Sequence, residues 1–65
     1  MNWQTIDSAP RGQVLMTKID DENGERNVGK LKLGSGGGRL WWQADGSMYV
    51  YYTPTHWRHL TENEK

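Results

Sequence analysis

This chain can do chemistry in three places: two histidines, His56 and His59; a carboxylate run, Asp20, Asp21 and Glu22; and a glycine loop, Gly34-Ser35-Gly36-Gly37-Gly38, closed by Arg39. The histidines stand three apart, so they supply at most half of a tetrahedral metal site, and the chain has no cysteine to complete one. A structural or surface role suits both, with His56 forming hydrogen bonds near the Pro54-Thr55-His56-Trp57 corner. The carboxylates precede a turn and read as a solvated group. The glycine loop has two readings. Backbone without side chains lets successive N–H groups approach a phosphate that Arg39 can bind bidentately. Without the Gly-Lys-Ser/Thr ending and following helix of a P-loop, the same stretch also reads as a plain connector. The sequence offers no nucleophile, metal cluster or acid–base pair, so it predicts neither an enzyme nor a cofactor.

The aromatic residues give the stronger signal. Six of the seven lie between Arg39 and Leu60, RLWWQADGSMYVYYTPTHWRHL, in a chain of 65 residues. A domain near this size buries only about 60% of the surface its unfolded chain exposes, so part of that aromatic load faces a ligand or another chain. Disulfides and a structural zinc are absent as staples, which leaves self-association as the common remedy for a marginal core. Eight basic and eight acidic residues cancel, which removes most of the electrostatic drive for nucleic acid. The first residues, MNWQTIDSAP, match neither a signal peptide nor a lipidation motif, and no apolar run reaches the roughly 18 residues of a membrane span. The expectation is a single domain, residues 1–65, in the cytoplasm.

The elements that must position these residues are strands. Gln13 to Asp20 and Glu25 to Leu33 flank Asn23-Gly24, a hairpin signal. With Asn23 and Gly24 as the loop, Ile19 faces Val28, Met16 faces Leu31, Val14 faces Leu33 and Asp21 meets Arg26. That register also sets Glu22 against Glu25, so a longer loop with a shifted register stays open. Asp7 or Ser8 caps a short turn before Pro10. A second hairpin runs through Arg39 to Gln43 and Ser47 to Tyr52 about Ala44-Asp45-Gly46, an Asp-Gly type I′ turn. It pairs Trp42 with Tyr49, Leu40 with Tyr51, Trp41 with Val50 and Arg39 with Tyr52. Both faces are aromatic, whereas a half-wet sheet alternates apolar with polar. Trp41, Met48, Val50 and Tyr52 are assigned to the core face; Leu40, Trp42, Tyr49 and Tyr51 to the other. Either the tail after Thr53 folds over that second face or the face binds something. Trp3 and Trp57 are expected to meet and dock both ends on the sheet. The predicted fold is all-β: a small antiparallel sheet of four or five strands in two hairpins, SH3-like or half-barrel, with little or no helix.

Trp3-x-x-Ile6-Asp7-Ser8-Ala9-Pro10, Val14-Leu15, Trp42 with Asp45-Gly46, and Pro54-Thr55-His56-Trp57 together resemble a family of small phage and prophage proteins of unknown function. The resemblance spans nearly the whole chain and departs at Arg11-Gly12-Gln13, where the family more often has a longer Lys-Asp-Gly-type turn. It implies a phage origin and brings no catalytic residues. An aromatic-surfaced, neutral phage protein then points to a non-enzymatic binder in the bacterial host cytoplasm. The first expectation is an anti-defence protein that sequesters a cyclic or ADP-ribose-type nucleotide immune signal in a homo-oligomer. Its ligand contacts would be Gly36, Gly37, Gly38, Arg39, Trp42, Tyr49, Tyr51, His56 and Arg58. The alternative is an inhibitor or adaptor that sets the same aromatic face against a host or defence protein; a virion component is a third reading. Membrane is not an expected partner, and nucleic acid ranks below all three readings.

Overall fold

The computed structural model of the chain describes residues 2–36 and 38–65, so Gly37 of the expected ligand set lies outside the described residues. It is all-β, with five antiparallel strands in one open sheet of order β1-β5-β2-β3-β4. The strands are β1 (Gln4–Thr5), β2 (Val14–Asp21), β3 (Gly24–Leu33), β4 (Trp41–Gln43) and β5 (His56–Arg58), with 3-10 turns at Ile6–Ser8 and Glu62–Glu64. Thr5 flanks the first turn, and Asp7 and Ser8 sit inside it rather than capping it.

The β2–β3 hairpin forms with a different register from the one the Asn-Gly pair predicts. Glu22 and Asn23 are the loop residues, Asp21 pairs with Gly24, and Gly24 takes a φ of 104°. This register removes the Glu22–Glu25 opposition. It sets Asp20 across from Glu25 instead, and Lys18 Nζ neutralises both, at 3.2 Å and 2.7 Å. The Asp21–Arg26 contact survives as a two-pronged pair at 2.9 Å and 3.2 Å. Asp20 and Asp21 are thus ion-paired rather than merely solvated.

A β-bulge then shifts the ladder between Thr17 and Ile19, with Asn27 at a φ of 56°, a conformation asparagine tolerates better than most residues. Beyond it Leu15 pairs with Leu31 and Met16 with Lys30, one place from the expected partners. Because side chains alternate between faces, that single step decides which residues are inside. Leu15, Leu31, Leu33, Trp41 and Trp57 form the core, with Ile6, Ala9, Val50 and Tyr52 packed against it. Met16 and Lys18 fall on the opposite face.

The second hairpin keeps the predicted pairing of Trp42 with Tyr49, but only as a single bridge. Its turn is wider than a two-residue Asp-Gly loop. Gly46 N–H donates to Gln43 O at 2.8 Å, Gly46 has a φ of 77°, and the closing bond runs from Gln43 N–H to Met48 O at 2.9 Å. The expected strand to Tyr52 ends early. Val50 N–H still bonds Trp41 O at 2.9 Å, and the chain then bends through buried Pro54 so that Thr55 accepts from Ile6 N–H at 3.0 Å and donates its N–H to Lys18 O in β2 at 2.9 Å. Among the described residues Trp41 is the largest fully buried side chain, and its indole N–H has no acceptor. Met48, assigned to the core by alternation, is exposed, because Gln43, its cross-strand neighbour, sits beyond the core's edge. No helix among the described residues is long and apolar enough to cross a membrane.

Candidate functional site

The sheet face opposite the core carries the aromatic residues that have no place inside. Cross-strand pairing puts Lys32, Trp42 and Tyr49 in one row of it, since β3 pairs Lys32 with Trp42 and the bridge pairs Trp42 with Tyr49. Trp42 and Tyr49 meet edge to face, with centroids 5.9 Å apart and planes at 75°. Tyr49 meets Tyr51 in the same way at 5.7 Å and 70°. The three rings make a ridge that becomes more exposed along its length. Trp42 is half-buried, Tyr49 is 44% exposed and Tyr51 86%. Edge-to-face contact suits the ring quadrupoles and stiffens the ridge without covering it.

Beside Trp42 lies a hollow of about 580 Å³ between the ridge and the glycine loop, with Lys32, Gly34, Ser35, Gly36, Gly38 and Leu40 among its lining. The loop is held from behind. Arg11 Nη1 donates to the carbonyls of Gly34 at 3.0 Å, Gly36 at 2.9 Å and Gly38 at 2.5 Å. At Gly34 the fit is close: a Cβ would lie 3.1 Å from Trp42 Nε1 and 3.3 Å from Leu40 O, so the neighbours would have to give by a few tenths of an ångström to admit one. The loop carbonyls therefore grip a cation, a contact no local pattern around Arg11-Gly12 announces.

The other expected ligand residues do not join this hollow. Arg39 turns towards the N-terminal segment, where its Nη2 is 3.4 Å from Asp7 O. The Asp7 carboxyl sits below its ordinary pKa, mainly through the Thr5 hydroxyl and to a lesser degree through Arg39. Arg58 is committed to Glu64 by two bonds of 2.8 Å. Its guanidinium also lies 5.0 Å from the centre of the Trp3 ring, with Lys18 Nζ 4.5 Å from the same ring. His56 Nδ1 is 2.8 Å from the Thr55 hydroxyl. Arg39, His56 and Arg58 are thus anchors within the chain: the first secures the N-terminal segment, and the other two lie at the β5 end of the outer face.

Trp3 and Trp57 do not meet. Trp57 pairs with Thr17 on the core face and donates its indole N–H to Thr5 O and Ser8 Oγ, both at 3.1 Å. Trp3 lies on the outer face with Lys18 and Arg58. The sequence reading missed Lys32, although the alternation Lys30-Leu31-Lys32-Leu33 with the leucines inside already directs both lysines outward. Among the described residues neither lysine forms an ion pair, and no three His, Cys, Asp or Glu side chains converge on a metal-sized site.

Fold and site together define a small all-β domain with one half of one sheet face left open, aromatic and lined by lysine that has no ion pair among the described residues. No protein-family model, curated protein or solved structure matches the chain.

Proposed function

We propose that the protein is a phage-encoded, non-enzymatic binder that sequesters a nucleotide immune signal in the bacterial host, with Trp42 and the glycine loop as its ligand contacts. The observation that supports this reading is the hollow of about 580 Å³ walled on one side by Trp42 and on another by the loop. That volume falls in the range of small-molecule sites, about 300–1,000 Å³. Its mixture suits a nucleotide: an indole to stack a base, worth roughly 1–3 kcal/mol per base in single-strand binders, and a flank without side chains to admit a phosphate. Self-association into a homo-oligomer would close the open side of the hollow. Native mass spectrometry of protein purified from cells with an active nucleotide-signalling immune system tests both parts. The expected spectrum shows an oligomer that retains a nucleotide mass; a bare monomer argues against sequestration.

A second reading, an inhibitor or adaptor that binds a host or defence protein, is favoured by the 86% exposure of Tyr51 at the tip of the ridge. Tyrosine and tryptophan on a rigid, exposed ridge are typical anchors of protein interfaces. In that case Tyr51→Ala abolishes partner capture, whereas changes inside the hollow leave it intact.

A further inference from the structure

The inventory of charge around the hollow is short, and it narrows the ligand. Of the basic residues expected to contact ligand, Arg39 reaches Asp7 O and Arg58 is paired with Glu64. Arg11 is consumed by three loop carbonyls. The cation that lines the hollow is Lys32, and it has no ion-pair partner among the described residues. The loop backbone adds to it. With the carbonyls of Gly34, Gly36 and Gly38 turned to Arg11, the amide N–H groups of Ser35, Gly36 and Gly38 donate to no acceptor among the described residues. Gly36 and Gly38 also have open space where a Cβ would stand. Their lack of a side chain is therefore not forced by packing, and it leaves the backbone open to close approach.

We infer that this hollow takes one nucleoside monophosphate per chain, with its base against Trp42 and its phosphate against Lys32 and the loop amides. The inference rests on the nucleotide-sequestration reading above and commits it to a ligand class. One ammonium and one row of free amides match one phosphate, since charge-assisted bonds from ammonium and backbone N–H both favour a compact anion. One half-buried indole on the wall of the hollow matches one base. A cyclic dinucleotide carries two of each and exceeds what a single chain provides. Arg11 is then a positioning residue: by holding the carbonyls on its own side, it keeps the loop amides free for the anion.

Titration calorimetry on the whole chain tests this with adenosine and guanosine monophosphates, the unphosphorylated nucleosides, inorganic phosphate, and cyclic dinucleotides of the same bases. The expected result is one monophosphate per chain, bound at least about tenfold more tightly than the matching nucleoside or phosphate alone. Lys32→Met, which keeps most of the apolar stem, should weaken monophosphate binding about tenfold and leave nucleoside binding unchanged. Arg39→Ala should change neither by more than about twofold. Circular dichroism melting of both variants establishes that they are folded. Equal binding of nucleoside and monophosphate, or unchanged affinity in Lys32→Met, overturns the assignment of the phosphate. Tighter binding of a cyclic dinucleotide at one per two chains overturns the monophosphate inference but upholds sequestration. Failure of every phosphorylated probe to bind overturns both.

Discussion

The two ends of the outer sheet face are built from the same residue types and do opposite things. At the β5 end Trp3 lies against two cations, Lys18 and Arg58. Each cation has its own carboxylates: Asp20 and Glu25 for Lys18, and Glu64 for Arg58. At the β4 end Trp42, which carries Tyr49 and Tyr51 beyond it, pairs across the strands with Lys32, which has no carboxylate among the described residues. Aromatic-plus-cation composition therefore does not distinguish a closed structural cluster from an open surface. The carboxylates do. Where the chain supplies them, the cluster ties both terminal segments to the sheet; where it withholds them, charge and aromatic surface remain for something else.

The largest expected difference between the ends is in stability. Trp3→Ala removes a half-buried indole and two cation–π contacts, and should cost about 2 kcal/mol in denaturant unfolding. A cost below about 0.5 kcal/mol would mean that the β5 end is as loosely held as the β4 end, and the contrast would fail.

Acid sharpens the same contrast. The Arg58 guanidinium, with help from the Thr61 amide, holds the Glu64 carboxyl at about 2 against an ordinary 4.5. A carboxylate whose folded pKa is depressed stabilises the fold fully above its unfolded value and loses that contribution as pH falls through the folded one. The lock at the β5 end should thus be intact above about pH 4.5 and fade towards about pH 2. Thermal unfolding followed by circular dichroism should show Glu64→Gln less stable than the parent at neutral pH, with the two melting curves converging in that acid window. A constant gap across the window would show that the carboxylate charge is not what closes this end.

Much of the fold was legible in the sequence, and its faces were legible only in part. The Asp-Gly signal gave the Trp42–Tyr49 register but not the turn: the loop is wider than type I′ and opens by one residue on each side, which leaves the pairing, and with it the alternation that buries Trp41, unchanged. The first hairpin misled by one residue. The Asn23-Gly24 signal is local, whereas the register that formed depends on Lys18 bridging Asp20 and Glu25 and on a bulge at Asn27, both set by tertiary packing. In the site, the aromatic ridge followed from alternation alone. The allocation of the arginines did not. Arg11 lies 23 residues or more from each loop carbonyl it holds, and the Arg58–Glu64 pair forms across a tail that no sequence pattern folds back onto β5. An arginine far from its acceptor in sequence carries no local mark of being taken.

The smallest expected effect on stability is also the most telling for the open end. Tyr51 leaves most of its ring in water and touches the ridge chiefly through its edge contact with Tyr49. Little apolar area is buried by that contact, so Tyr51→Ala should shift unfolding by no more than about 0.5 kcal/mol, with an unchanged denaturant slope. A residue this exposed gains nothing for the isolated chain that alanine would not also give. If the β4 end is a binding surface, the cost must appear elsewhere: in oligomer formation, read by native mass spectrometry, or in capture of a protein partner. Stability loss above about 1.5 kcal/mol would instead place Tyr51 in the structural ledger beside Trp3. The two ends would then be two halves of one closed face, and the missing carboxylate beside Lys32 would no longer separate them.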